Sequence, residues 1–133
     1  MRYRRILQTY SQIFFAESAL SLLGDPWCER RAVLASPLWR PSADLTETPE
    51  EYRLWVEIAG VKSEDFDIIL YDDAVVIEGE RQLPSGGRFH QAEIRRGKFR
   101  LAVRLPGPVE PDQVEGVLER GLLTLRLPKL KSA

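Results

Sequence analysis

Tyr52-Arg53-Leu54-Trp55-Val56-Glu57-Ile58-Ala59-Gly60 settles the class of fold. Apolar side chains at 52, 54, 56 and 58 alternate with Arg53, Trp55 and Glu57, the two-residue period of a strand with one buried face. Ala59-Gly60 then ends the run. Toward the C-terminus, Phe66, Ile68 and Leu70 alternate in the same way, with Ile69 and Tyr71 on the opposite face. Asp72-Asp73 forms a turn and Ala74 to Ile77 another short strand. Gly79 to Gly87 reads as a loop and Phe89 to Ile94 as extended. Gly97 interrupts that run, and Phe99, Leu101, Val103 and Leu105 alternate after it. Pro106, Pro108 and Pro111 exclude regular structure before the next strand, Val114 to Leu118. Arg120-Gly121 makes a tight turn, and Leu123, Leu125 and Leu127 close the series before Pro128. Seven or so short strands separated by turns predict an all-β, immunoglobulin-like sandwich.

The other direction reads differently. Arg4 to Leu23 contains neither Gly nor Pro, and its apolar residues fall at mixed three- and four-residue spacings, which predicts a helix with a broad apolar stripe. Gly24-Asp25-Pro26 stops it, and Trp27 to Pro41 is a linker. The expected organisation is an N-terminal segment and linker over 1–41, a sandwich over 42–129 and a short tail over 130–133.

A chain of 133 residues with 44% hydrophobic and 29% charged residues carries one ordinary core. Its net charge of −1 argues against a dominant nucleic-acid surface. Six arginines against three acids give 1–41 a charge of +3, whereas 13 basic and 17 acidic residues give 42–133 a charge of −4. Arg2, Arg4 and Arg5 resemble the start of a signal peptide, but polar residues from Gln8 onward interrupt the apolar stretch that should follow. A single cysteine, Cys28, permits no intrachain disulfide and fits a reducing cytoplasm.

Catalytic signals are missing. His90 is the only histidine, so a two-histidine metal site is excluded, and no serine sits in a strand-to-helix elbow that His90 would serve. Gly86-Gly87 precedes no helix and is no phosphate cradle. No enzyme activity, cofactor or metal is expected.

Several motifs occur in one order. Trp39-Arg40-Pro41 precedes Asp44-Leu45-Thr46-Glu47. Glu57-Ile58-Ala59-Gly60-Val61 precedes Glu64-Asp65-Phe66. Ile77-Glu78-Gly79-Glu80-Arg81, Phe89-His90-Gln91-Ala92-Glu93, Gly97-Lys98-Phe99, Leu105-Pro106, Gly121-Leu122-Leu123 and Leu127-Pro128-Lys129 follow. Over residues 39 to 129 this series resembles the bacterial-type small heat-shock protein family, whose sandwich is the α-crystallin domain. Leu101, Gly116 and Arg120 stand where relatives often have Arg, Ala and Asn. The loop after Arg81 is shorter than in typical bacterial members, which puts the swapped dimer of such relatives in doubt. No [IV]-x-[IV] pair follows Lys129, where relatives carry a docking tail.

The resemblance implies an ATP-independent holdase of the stress response, a cytoplasmic chaperone that binds unfolded client proteins and self-associates as a homodimer or modest oligomer. Client contact is expected from Ile6, Leu7, Tyr10, Ile13, Phe14, Phe15, Leu20 and Leu23. A groove that accepts tail peptides in the family corresponds to Ile68, Leu70, Gly116 and Leu118. With no docking pair of its own after Lys129, the chain is expected to fill this groove with another protein's tail or part of its own N-terminus. Dimer contacts are implied for Arg88, Phe89, His90, Glu93 and Arg95, and His90 is assigned no pH switch. The alternatives are a CS-like adaptor or co-chaperone docked on one partner, and a peripheral membrane protein using its basic N-terminus.

Overall fold

The computed structural model describes residues 1–10, 38–82 and 86–131. Eight strands occur among them: β1 (Arg2–Arg5), β2 (Ala43–Glu47), β3 (Glu51–Glu57), β4 (Phe66–Leu70), β5 (Ala74–Arg81), β6 (Gly97–Arg104), β7 (Glu115–Glu119) and β8 (Leu122–Pro128). They form two four-stranded sheets, ordered β1-β4-β5-β6 and β2-β3-β8-β7.

The alternation of the sequence becomes the space between the sheets. In the β3–β8 ladder Tyr52 stands opposite Leu127, Leu54 opposite Leu125 and Val56 opposite Leu123. All six are buried, and Ile68, Leu70, Val75, Ile77, Phe99 and Leu101 of the other sheet meet them. Each such aliphatic or aromatic side chain contributes about 1.5–3 kcal/mol when fully withdrawn from water. The first sheet is apolar on both faces. Ile69, Tyr71, Ala74 and Val76 form a second buried cluster on its outer side, which explains the near-continuous apolar runs of β4 and β5.

Four features differ from the sequence expectations. Arg4 and Arg5 lie in a strand rather than opening a helix, because the free edge of β4 offers backbone partners that local propensity does not register. Ala43–Glu47 forms β2 against β3 with one substantial apolar side chain, Leu45, facing the core. β5 continues through Gly79 to Arg81, held by its ladder with β6. Residues 88–96 form no strand; Arg95 instead accepts a hydrogen bond from the Arg81 side chain through its carbonyl. Trp39 is buried against Phe99 with ring centroids 5.2 Å apart, and its Nε1 donates to the Gly97 carbonyl at 3.1 Å.

Candidate functional site: a groove, its cover and an exposed arm

The groove lies between the β4 and β7 edges. Ile68 and Leu70 point into the main core from one side, and Leu118 packs on the same core from the other. Gly116 is the floor. A Cβ placed there would lie 2.9 Å from Leu125 Cδ2, 3.0 Å from Met1 Sδ and 3.4 Å from Ile68 Cδ1. Of the four groove residues expected from sequence, Ile68 thus meets Gly116, and Ile68, Leu70 and Leu118 all belong to or pack on the main core.

The N-terminus fills this space. β1 runs parallel to β4, with Arg2 opposite Asp67, Tyr3 opposite Ile68, Arg4 opposite Ile69 and Arg5 opposite Leu70. The Ile6 N–H extends the pairing by donating to the Leu70 carbonyl at 2.8 Å. Met1, just ahead of β1, and Tyr3 within it face the same side, two residues apart. The Met1 amino group donates to the Ser63 carbonyl, and the Tyr3 hydroxyl donates to the Pro111 carbonyl at 2.9 Å. Partial burial pushes the Tyr3 pKa up; Arg5 opposes this and Asp112 adds to it, so the hydroxyl stays a donor. Arg4 reaches Asp67 at 3.6 Å, an exposed pair of small value. Met1 and Tyr3 are each 41% exposed, so the cover is only half sealed.

Beyond β1 the chain crosses to the outer face of the first sheet. Ile6 and Tyr10 pack on the Ile69, Tyr71, Ala74 and Val76 cluster. The Tyr10 and Tyr71 rings meet edge to face at 5.2 Å, and the Tyr10 N–H donates to Asp73 Oδ1 at 2.7 Å. Leu7 is 71% exposed. Of the expected client contacts, Ile6 and Tyr10 are thus engaged on the sheet and Leu7 is open. Ile13, Phe14, Phe15, Leu20 and Leu23 lie outside the described residues.

The arm before β6 carries the expected dimer residues. Arg88, Phe89, His90, Glu93 and Arg95 are all exposed, and the Arg96 guanidinium stands 4.9 Å from the Phe89 ring centre. The Arg81 guanidinium stacks on Trp39 at 4.4 Å and donates to the Arg95 carbonyl at 2.9 Å. Burial, with Arg96 nearby, lowers the Arg81 pKa. A cleft of about 560 Å³ opens beside this contact, lined by Trp39, Glu57, Arg81, Ile94 and Leu122 among others. Ile94 is 64% exposed and was not singled out from sequence. Met1 and Tyr3 were missed as well, since two apolar residues alternating with arginine are too short a pattern to separate from a helix start.

Among the described residues no cluster of three His, Cys, Asp or Glu side chains is arranged to hold a metal, and no helix is long and apolar enough to cross a membrane.

Known proteins resemble this arrangement. The 18.1 kDa class I heat shock protein of Medicago sativa is 34% identical over 119 residues, covering 86% of this chain and 79% of its own. Spore protein SP21 of Stigmatella aurantiaca is 33% identical over 111 residues, covering 81% of this chain; the match spans 64% of the Stigmatella protein's length. In structure, heat shock protein 16.0 from Schizosaccharomyces pombe superposes with a TM-score of 0.65 at 29% identity, over 71% of this chain and 91% of that one. The pattern of the Hsp20/alpha crystallin family matches residues 44–133. With two sheets, an ordered motif series and a family match over most of its length, this chain belongs to the Hsp20/alpha crystallin family.

Proposed function

We propose that the protein is an ATP-independent holdase that takes up partly unfolded proteins on apolar surface lent by its N-terminal segment. The observation that carries this is the division between a well-sealed sandwich and a weakly seated cover. Leu54, Val56, Leu123 and Leu125 are fully buried, whereas Met1, Tyr3 and Leu7 are 41%, 41% and 71% exposed. A cover held by partial burial, one short ladder and a few hydrogen bonds opens at smaller cost than the sandwich unfolds. Opening presents Ile6, Leu7 and Tyr10 together with the Ile69 and Val76 face beneath them. Several such side chains acting together supply about −8 kcal/mol, micromolar affinity, after ordering costs are subtracted. Recognition of this kind needs no catalytic group and discriminates little among clients, which suits a cytoplasmic stress protein.

Self-association as a homodimer or modest oligomer belongs to the same reading. Exposed Phe89 and Ile94 on an arm that forms no strand support contact through Arg88, Phe89, His90, Glu93 and Arg95.

The test is light scattering of a heat-sensitive client without ATP. It compares the full chain with an Arg2→Cys/Asp67→Cys chain in a Cys28→Ser background. Arg2 and Asp67 are register partners, so oxidation clamps β1 to β4. The open chain suppresses scattering, the oxidised chain loses most of that effect, and reductant restores it. Absence of suppression by the full chain sinks the holdase role; equal suppression by the clamped chain moves client binding off the face that β1 covers.

A further inference from the structure

We propose that Met1 is an oxidation site, and that a hydroperoxide, by converting its thioether to the sulfoxide, loosens β1 from the sandwich. This rests on the reading of β1 as the cover of the client surface and adds a chemistry that lifts it.

Three observations single out the sulfur. First, it fills a gap. A Cβ on Gly116 would lie 3.0 Å from Met1 Sδ, 2.9 Å from Leu125 Cδ2 and 3.4 Å from Ile68 Cδ1, so the thioether shares with two aliphatic groups the space that glycine leaves. Second, the residue is within reach of oxidant: Met1 is 41% exposed, whereas Leu125 and Ile68 beside it are buried. Third, Met1 is the only methionine in the chain, so no second thioether competes for the oxidant. Its position makes the strand sensitive to it. Met1 anchors the leading end of β1, whose own four residues are all exposed, and its amino group donates to the Ser63 carbonyl.

In the reaction a sulfur lone pair attacks one peroxide oxygen, the O–O bond breaks and an S–O bond forms. The proton of the transferred hydroxyl passes to the departing hydroxide, which leaves as water. Sulfur is oxidised by two electrons and the peroxide is reduced by two. A flexible apolar side chain thereby becomes a polar one. Its new oxygen is a hydrogen-bond acceptor set among Leu125 and Ile68, whose side chains offer no donor. Either the oxygen stays there unpaired, or the side chain swings into water and leaves the gap unfilled. Both outcomes weaken the end of β1 that Met1 holds. Methionine sulfoxide reductase restores the thioether and with it the contact.

The test uses full chains in the Cys28→Ser background, released from a cleavable fusion so that residue 1 can be varied. One keeps Met1; the other carries Met1→Leu, a side chain of similar volume that peroxide does not oxidise. Both are treated with dilute hydrogen peroxide, and intact mass reports the oxygen gained. The Met1 chain gains a single oxygen. Its Ile6 amide, bonded to the Leu70 carbonyl, then exchanges about tenfold faster while the β8 amides are unchanged. Client protection by that chain sets in at a several-fold lower ratio of chain to client. Reductase reverses mass, exchange and protection together, and Met1→Leu shows none of these changes. Oxidised Met1 with unchanged Ile6 exchange overturns the proposal, and so does equal acceleration in Met1→Leu. Failure of the folded chain to take up oxygen from peroxide that oxidises the urea-unfolded chain overturns it too. Faster Ile6 exchange without any client protection sinks the holdase role and leaves the oxidation site standing.

Discussion

Gly79 shows how little room single positions leave. A Cβ there would sit 2.5 Å from the Asp65 carbonyl oxygen, 2.6 Å from Phe66 Cβ and 2.8 Å from Phe99 Cζ. The first two cannot rotate away, so Gly79→Ala forces β5 off the turn before β4 and costs about 1–3 kcal/mol. A lower urea midpoint with unchanged slope is the expected readout. Gly121 is fixed for another reason: Arg120 and Gly121 have φ of 54° and 79°, the two-residue hairpin turn that a left-handed glycine favours. Glu51 sets an acid limit on the fold. Its buried carboxylate accepts Arg126 Nε and Nη2, each at 2.9 Å, and Arg53 Nη2 at 3.0 Å. These hydrogen bonds, those from Arg126 first, outweigh burial and lower its pKa from 4.5 to about 2. A depressed carboxyl contributes stability above its unfolded pKa and loses it as pH falls through the folded value. Urea midpoints of the wild type therefore fall between pH 4.5 and 2 more steeply than those of Glu51→Gln, and parallel profiles would contradict the assignment.

Among elements, β1 and β2 both add an outer strand to a sheet, yet they differ in what holds them. β2 follows the buried Trp39 and Pro41, and Leu45 packs on the main core. β1 has four exposed residues and one weak ion pair, and it is anchored by Met1 and Tyr3 at one end and Ile6 at the other. Native-state hydrogen exchange separates the two cases. The Ile6 amide, bonded to Leu70, exchanges far sooner than the amides of the central strand β8, and warming widens the gap before the sandwich melts. Protection of Ile6 equal to that of β8 would mean a cover that opens only with global unfolding, which leaves no surface to lend.

At the scale of the molecule, assembly is expected through the arm. Sedimentation of the full chain should show dimers or modest oligomers whose mean mass rises with concentration. Ile94→Glu, on an exposed side chain that the sandwich does not need, should lower that mass; an unchanged distribution would exclude the arm. The internal strands were readable in advance because each carries its own inner face. Alternation at 52–58, 66–70, 99–105 and 123–127 follows from the geometry of a single strand and the cost of leaving apolar groups in water. The groove positions Ile68, Leu70, Gly116 and Leu118 came from the family resemblance; folding sets Ile68 beside Gly116 and packs Leu70 and Leu118 on the main core. Pairing is a different kind of property, since a strand edge is completed by whichever segment arrives beside it. Local pattern made Arg4 the start of a helix, and the open edge of β4 made it part of a strand. Phe89 to Ile94 looked extended and forms no strand, while Met1 gained its place because Gly116 leaves a gap that it fills.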